Sequence, residues 1–224
     1  MSGGGLIYVY AVVDAAPEEL GLGLKGEPLR AVAAGQVAAV VSAHECPPEP
    51  DEEELWRHEA VVERLMEDAV VLPLRFGTTV AEEAAVEALL RSREEEFVEL
   101  LGAVRGAVEL GVRAELPAAA PTPVPSGASE AAPSGTEYMR ERGRALRRRE
   151  QASEALHGSM SALSRRSLLL GPRVGPGFRG AYLVDADKVE AFAELVGQLG
   201  EELDIEVSCT GPWPPYTFVS GGPR

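Results

Sequence analysis

The stretch Leu6-Ile7-Tyr8-Val9-Tyr10-Ala11-Val12-Val13 carries the strongest structural signal in the sequence. Its β-branched and aromatic residues favour a pleated, buried surface, so it is predicted to form a central β-strand. Residues 29–33 and 37–42 are predicted to form two further strands, and Gly35 between them can adopt the positive φ of a hairpin turn. The chain is therefore expected to begin with a sheet.

A helix is predicted next, because Asp51 and Glu54 have the spacing of a capping box at a helix N-terminus. It is expected to run to about Asp68 and to pack one apolar side on the sheet. The apolar residues that recur on that side are Leu55, Val62, Leu65, Met66 and Ala69.

Residues 70–77 are predicted to add another strand at an edge or a bulge, since Pro73 cannot donate to a sheet ladder. Thr79 and Glu82 repeat the capping-box spacing and predict the start of a second helix. A third helix is expected over residues 93–104, where the apolar residues again form one stripe. Strands and helices in this order predict an α+β domain.

The second half of the sequence has the order strand, helix, strand, strand, helix, strand, which is that of the ferredoxin-like split βαβ unit. Asp187 and Glu190 form a third capping box, at the start of the later helix. The six elements are predicted at about residues 108–116, 136–164, 167–170, 179–184, 187–203 and 205–210.

The predicted fold class is therefore α+β with two small domains. Residues 1–105 are expected to form the N-terminal α+β domain. Residues 106–224 are expected to form a ferredoxin-like C-terminal domain that ends in a Pro-rich aromatic tail at 211–224. Residues 117–135 are so rich in Pro, Ala, Ser and Gly that they are predicted to be a flexible insertion outside the core.

Charge and composition exclude several classes of partner. Acidic residues outnumber basic ones 36 to 21, and the formal charge of −15 repels the phosphates of nucleic acids. The longest apolar runs fall well short of the roughly 20 residues that cross a bilayer, so no membrane span is expected. The N-terminus lacks the basic flank of a secretory signal, and Cys46 and Cys209 have no second cysteine at a metal-binding or redox spacing. We therefore expect a cytoplasmic protein.

No catalytic, cofactor-binding or metal-binding residue is predicted. Helical spacing places His58 beside the apolar stripe, where we expect an imidazole at the edge of the core with one hydrogen bond. His44 and His157 have no local companions that would complete a ligand set. Residues 51–54 are acidic, but the first turn of a helix stabilises negative charge without any metal. Glycine-rich nucleotide loops and the nucleophile elbow of hydrolases do not occur in the sequence.

Arginines are concentrated in the first half of the predicted long helix. At 3.6 residues per turn their guanidinium groups cover more than one helical face. They form either a solvated surface bridged by nearby glutamates or a docking site for an anion or an acidic partner. The cluster consists of Arg140, Arg142, Arg144, Arg147, Arg148 and Arg149.

The segment Thr210-Gly211-Pro212-Trp213-Pro214-Pro215-Tyr216-Thr217-Phe218-Val219 is the most unusual part of the chain. Its prolines remove backbone donors and stiffen the chain, while its aromatic side chains carry a large apolar area. The segment either folds back as an internal clamp or presents a rigid aromatic surface to a partner.

Four segments together resemble the gas vesicle protein GvpL/GvpF family. They are the segment just quoted, Leu72-Pro73-Leu74-Arg75-Phe76-Gly77-Thr78, Tyr8-Val9-Tyr10 and Ala181-Tyr182-Leu183-Val184. The resemblance spans both halves of the chain and implies a two-domain α+β protein with a ferredoxin-like C-terminal part. The insertion at 117–135 is where the chain departs from the family pattern.

The resemblance implies a minor, non-enzymatic protein that is needed when gas vesicles form and that is associated with the vesicle. Its implied partners are the major shell protein, which it would bind during nucleation and assembly as an adaptor or chaperone, and other gas vesicle proteins. The alternative is a ferredoxin-like module that binds a small ligand or catalyses a reaction, with a cleft ringed by His58, Arg75 and carboxylates. The residues predicted to bind a partner are Trp213, Pro214, Pro215, Tyr216, Phe218, Arg75 and Phe76.

Overall fold

The computed structural model describes residues 5–116, 135–171 and 177–219. The chain divides into two compact units: unit 1 comprises residues 1–109 and 212–224, and unit 2 comprises residues 110–211. The division after residue 109 lies close to the expected domain boundary, but residues 212–224 group with unit 1 rather than with the C-terminal half. The predicted flexible insertion falls almost wholly outside the described residues.

Unit 1 is built on an antiparallel sheet in the strand order β2-β3-β1-β4, with β5 also paired to β1. The opening stretch of the sequence is the central strand, as predicted, and Gly35 turns the β2–β3 hairpin with a φ of 61°. The strands are β1 (Leu6–Val13), β2 (Arg30–Ala34), β3 (Val37–His44), β4 (Val71–Pro73) and β5 (Thr79–Val80).

Among its described residues unit 1 also has a 3₁₀ turn at Leu24–Gly26 and three α-helices: α1 (Glu52–Asp68), α2 (Glu83–Ser92) and α3 (Glu94–Val104). The predicted cap of α1 is present, because Asp51 Oδ1 accepts a hydrogen bond of 2.8 Å from the Glu54 N–H. The reciprocal half of the box is not formed, since the Asp51 N–H donates to the carbonyl of Glu49 instead. The Glu54 side chain turns inward, and its Oε2 is buried without a hydrogen-bond partner in the described part of the chain.

The buried face of α1 differs by one position from the predicted stripe. Leu55 is exposed, whereas His58 and Val61 lie in the core beside Val62 and Leu65. The apolar residues alone do not fix the helical phase here, because a histidine takes the position that a large apolar residue would normally occupy.

The predicted helix start at Thr79 is wrong. Thr79 pairs with Tyr8 in β5, so the backbone is extended there, and α2 begins only after Glu82. No side chain caps that helix start. The two residues of β5 complete the ladder along β1, and this pairing outweighs the local capping preference.

Unit 2 contains a four-stranded sheet in the order β7-β8-β6-β9, and it pairs β7 with β8 in antiparallel fashion. The chain enters unit 2 within β6 and returns to unit 1 within β9. Its elements are β6 (Ala107–Glu115), α4 (Gly135–Ala162), β7 (Arg166–Leu169), β8 (Gly177–Asp185), α5 (Val189–Leu203) and β9 (Val207–Trp213).

Unit 2 has its own core, which joins α4 and α5 to the sheet. The predicted seam of α5 is confirmed, since Phe192, Val196 and Leu199 are buried. The capping box at Asp187 is wrong, because a 3₁₀ turn at residues 186–188 precedes α5 and no side chain caps the helix. Within the described ranges, every helix is too short or too polar to span a membrane.

Candidate functional site

Two of the segments predicted to bind a partner meet at His58 of α1. The imidazole is fully buried, and its Nε2 lies 3.0 Å from the Leu74 carbonyl oxygen and 3.3 Å from Tyr216 Oη. The Phe76 ring stands 5.9 Å from the imidazole, in an edge-on arrangement. Unit 1 therefore brings the loop after β4 and the C-terminal segment to one side chain.

The hydrogen bonds fix which nitrogen of His58 carries the proton. A carbonyl oxygen only accepts, so Nε2–H donates to Leu74 and Nδ1 must accept from Tyr8 Oη at 2.9 Å. Tyr8 Oη in turn accepts a 3.0 Å bond from the Gly77 N–H. The chain of bonds thus runs from Gly77 through Tyr8 and His58 to Leu74, and it ties together the two ends of the loop 74–77.

Burial lowers the pKa of His58 to about 4, so the imidazole is neutral near pH 7. Burial also raises the pKa of Tyr8 above the usual range for a phenol. The expectation of an imidazole at the core edge with a single hydrogen bond is wrong, since both ring nitrogens are bonded inside the unit. In the described part of the chain neither nitrogen is presented to solvent, so His58 does not open onto a cleft of the kind that the alternative function needs.

A second polar chain runs beside the first. The Leu24 N–H donates to Tyr10 Oη at 2.9 Å, Tyr10 Oη lies 2.9 Å from Ser42 Oγ, and Ser42 Oγ lies 2.7 Å from His44 Nε2. Burial lowers the pKa of His44. The sequence contained a clue to this network, because Ser42 and His44 are two residues apart on a strand and therefore share a face.

The C-terminal segment is folded onto unit 1. Pro214, Pro215 and Phe218 are buried and Tyr216 is half-buried. The Thr217 N–H and Oγ1 both donate to the Glu109 carboxylate, at 2.8 and 2.6 Å. This arrangement matches the internal-clamp alternative for the residues after Trp213.

Buried polar groups accompany the clamp. Burial raises the pKa of Tyr216, and the nearby Glu59 carboxylate raises it further. Burial likewise raises the pKa of Glu109, which the hydrogen bonds from Thr217 partly offset. Thr217 is bonded to Glu109, and Tyr216 lies beside Glu59. Polar contacts therefore fix the C-terminal segment in addition to its buried apolar side chains.

Trp213 and Arg75 remain accessible among the residues predicted to bind a partner. Trp213 is 42% exposed at the point where β9 ends, and Arg75 projects from the fixed loop while Phe76 is half-buried. An apolar pocket of about 380 Å³ lies beside that loop. Its lining includes Leu74, Phe76, Val80, Leu89, Leu90 and Phe97.

The chemistry of this surface is that of packing and hydrogen bonding. Across residues 5–116, 135–171 and 177–219, no three His, Cys, Asp or Glu side chains converge closely enough to hold a metal ion. Cys46 and Cys209 are both free thiols. The partner-binding role of the seven predicted residues stays a prediction. Of the seven, Trp213 and Arg75 are the two whose side chains are exposed.

Comparisons with known sequences agree over almost the whole chain. The family model described as gas vesicle synthesis protein GvpL/GvpF matches residues 6–220. Gas vesicle protein L of Streptomyces sp. (strain CB03234) is 33% identical over 252 residues, covering 98% of this chain and 94% of that protein. Gas vesicle protein F of the same strain is 29% identical, with 95% and 98% covered.

Solved structures share the fold. The crystal structure of the gas vesicle protein GvpF from Anabaena sp. PCC7120 superposes with a TM-score of 0.81 at 20% identity, and 96% of each chain is covered. The GvpF structure from Microcystis aeruginosa gives a TM-score of 0.78 at 19% identity, with 97% of this chain and 99% of that chain covered. The mixed α/β architecture with two antiparallel sheets is therefore shared with these proteins.

Proposed function

Since this chain belongs to the GvpL/GvpF family of gas vesicle synthesis proteins, we propose that it acts in gas vesicle formation by binding the major shell protein before that protein is incorporated. The role is that of an adaptor or chaperone, and other gas vesicle proteins are further partners. Binding of this kind makes and breaks no covalent bond, so the protein works without catalysis and without a cofactor. Its location is the cytoplasm and the growing vesicle.

The exposure of Trp213 is the observation that supports this role most. The indole is 42% exposed, while the residues that follow it are fixed by buried prolines and by the bonds from Thr217 to Glu109. An aromatic side chain on an immobile backbone loses little conformational entropy on binding, so it can contribute a large share of an interface energy. The Arg75 side chain, on a loop held by His58 and Tyr8, is the second accessible group of the same unit.

A shell subunit that lines a gas space needs a partner that covers its apolar surface before assembly. Its apolar surface is exposed before incorporation, and exposed apolar patches associate indiscriminately. A partner with a formal charge of −15 keeps the intermediate dispersed, because complexes of like charge repel one another.

Co-purification of the shell protein tests the proposal. The chain and its Trp213→Ala variant are each mixed at micromolar concentration with freshly dissolved shell protein, and the soluble complex is isolated and quantified. We expect the unsubstituted chain to retain the shell protein in solution and the variant to retain at least about tenfold less, as for loss of an aromatic anchor.

Trp56→Ala is the matched control, because Trp56 is also an exposed tryptophan of unit 1, with 66% of its surface accessible, but is not among the predicted residues. It should retain the shell protein like the parent chain. Failure of the parent chain to retain any shell protein contradicts the proposed role, and equal losses in both variants contradict the assignment of Trp213.

We further assign unit 2 to the ferredoxin-like class. The strand order β7-β8-β6-β9, with α4 between β6 and β7 and α5 between β8 and β9, supports this assignment. The Pro-rich aromatic tail then continues the last ferredoxin-like strand, and its residues from 212 onward belong to unit 1.

A further inference from the structure

A groove in unit 2 lies outside the surface used in the proposed function. It has a volume of about 470 Å³ and runs between α4 and the β7–β8 hairpin. Leu146, Leu169 and Phe178 contribute apolar surface to its lining. Its charged groups are the guanidinium groups of Arg149 and Arg179 and the carboxylate of Glu150. A pocket of this size with an apolar floor and a few charged groups has the features of a binding site.

The strand beside the groove is an edge of the sheet. β7 pairs with β8 on one side and with no other strand of the described residues. The register pairs Leu168 with Ala181, and the Leu170 N–H donates to the Arg179 carbonyl. Because bonded and non-bonded pairs alternate in an antiparallel ladder, the N–H and C=O groups of Ser167 and Leu169 point away from β8.

This edge is only partly protected. Natural edge strands are shielded by short length, charges, prolines or bulges, and β7 has four residues and begins at the exposed Arg166. Leu168 and Leu169 are nevertheless 47% and 50% exposed. Ser167 Oγ lies 2.9 Å from Ser161 Oγ of α4, which places the alternate Leu169 side chain on the α4 side, where it lines the groove. An added strand would thus meet an apolar groove together with backbone groups that pair with no other strand of the described residues.

The charge distribution of the chain indicates which side chains an added strand should carry. Unit 1 holds 22 acidic and 9 basic residues, a formal charge of −13, whereas unit 2 holds 14 acidic and 12 basic residues, a charge of −2. Six of those basic residues are the arginines of α4. One of them, Arg149, lines the groove together with Arg179 and against the single carboxylate of Glu150, so the lining is net positive in a strongly acidic chain and a complementary partner carries carboxylates.

We propose that the open edge of β7 and the adjoining groove bind an extended polypeptide segment rich in apolar and acidic residues, by strand addition. Its backbone pairs with Ser167 and Leu169, its apolar side chains enter the groove beside Leu146 and Phe178, and its carboxylates meet Arg149 and Arg179. Main-chain pairing supplies affinity in this mode and the side-chain pockets supply selectivity.

Peptide binding by the full chain tests the proposal. The probe is a fluorescein-labelled, amidated octapeptide that alternates leucine and glutamate, and its partner probe replaces glutamate with lysine. Fluorescence anisotropy should show binding of the glutamate peptide and at least about tenfold weaker binding of the lysine peptide, because the charge complementarity is reversed. Equal binding of the two peptides, or no binding of the glutamate peptide, overturns the proposal.

Two N-methylated peptides distinguish strand addition from electrostatic attraction. One carries N-methyl groups on its leucine amides and the other on its glutamate amides, so that each removes the donors of one edge only. Strand addition predicts that one of them loses binding and the other keeps it, since alternate residues face β7. Equal affinities for both overturn strand addition.

Charge variants locate the site. Arg149→Glu combined with Arg179→Glu should weaken binding of the glutamate peptide at least about tenfold. Arg30→Glu combined with Arg91→Glu is the matched control, because it changes the total charge equally at exposed positions of unit 1. If both double variants bind the glutamate peptide equally weakly, the loss arises from the total charge of the protein, and the proposed binding site is wrong. Shell protein plays no part in these measurements, so their outcome is separate from that of the Trp213 experiment.

Discussion

The His58 imidazole shows how one buried side chain can define a surface without belonging to it. It lies in the core of unit 1, yet its bonds with Leu74 and Tyr8 determine how the loop 74–77 presents Arg75. Its contact with Tyr216 reaches the C-terminal segment as well. The sequence indicated that His58 lies near the core, but a single helix cannot reveal bonds to residues 50 and 158 positions away.

Replacing His58 with glutamine should change how stability depends on pH. The folded-state pKa of about 4 is lower than the roughly 6.5 of an unfolded chain, so the unfolded state binds more protons between these values. The free energy of unfolding should therefore fall by about 2–3 kcal/mol between pH 7 and pH 4.5 because of this group. His58→Gln should lack that part of the decrease.

Urea unfolding followed by tryptophan fluorescence measures this effect for unit 1, because Trp56 and Trp213 both belong to it. Glu59 and Glu109 also titrate with raised pKa values, but they are present in both proteins and cancel in the comparison. Parallel pH profiles for the two proteins would show that His58 is not buried in its neutral form.

Tyr8→Phe should destabilise unit 1 by about 1–3 kcal/mol, because it leaves the buried His58 Nδ1 without a partner and removes the acceptor of the Gly77 N–H. Tyr216→Phe should cost less, since Tyr216 is half-buried and water can replace part of its bonding. The same fluorescence assay compares the two variants. A larger loss for Tyr216→Phe would contradict the arrangement of bonds around His58.

At the scale of elements, periodicity predicted the strands and helices well and the helix starts less well. Asp51 caps α1 as predicted, but the starts at Thr79 and Asp187 are displaced by a short strand and by a 3₁₀ turn. Both errors arise because the backbone is already committed to a sheet or a turn before the helix begins. Capping boxes report a local preference, whereas β5 exists only because β1 is alongside it.

The clamp formed by the C-terminal segment should contribute substantially to the stability of unit 1. Phe218 is 6% exposed, so Phe218→Ala should cost about 3 kcal/mol or more in the free energy of unfolding. Trp213→Ala should cost no more than about 1 kcal/mol, because its indole is partly in water. Thermal or urea unfolding of the two variants gives the comparison, and similar losses would contradict the division between clamp and accessible tryptophan.

At the scale of the whole molecule, the two units differ more in charge than in architecture. Each has an antiparallel sheet, helices and a separate core. Composition gave the total charge of the chain, but the division into −13 and −2 needed the unit boundaries. The assignment of residues 212–224 to unit 1 was likewise beyond sequence reasoning, because it depends on contacts such as that between Thr217 and Glu109.

Salt should stabilise unit 1 more than unit 2. Self-repulsion among like charges destabilises a compact state, and added salt screens it over distances beyond about 10 Å at 0.1 M. Hydrogen exchange read by mass spectrometry reports each unit separately, through peptides from β1 and β3 and from β8. Raising sodium chloride to about 0.5 M should increase protection in the first set more than in the second. Equal gains would contradict a difference in self-repulsion.

Thr217 and Phe218 reach unit 1 only after all of unit 2 has been translated. A nascent chain that has emerged from the ribosome as far as β6 holds every strand of the first sheet, but Glu109 and the surface around His58 still lack their C-terminal cover. The roughly 100 intervening residues take about 5–20 s to synthesise. During that interval Glu109 has no hydrogen bonds from Thr217, and a premature stop codon after residue 211 would leave it without them permanently.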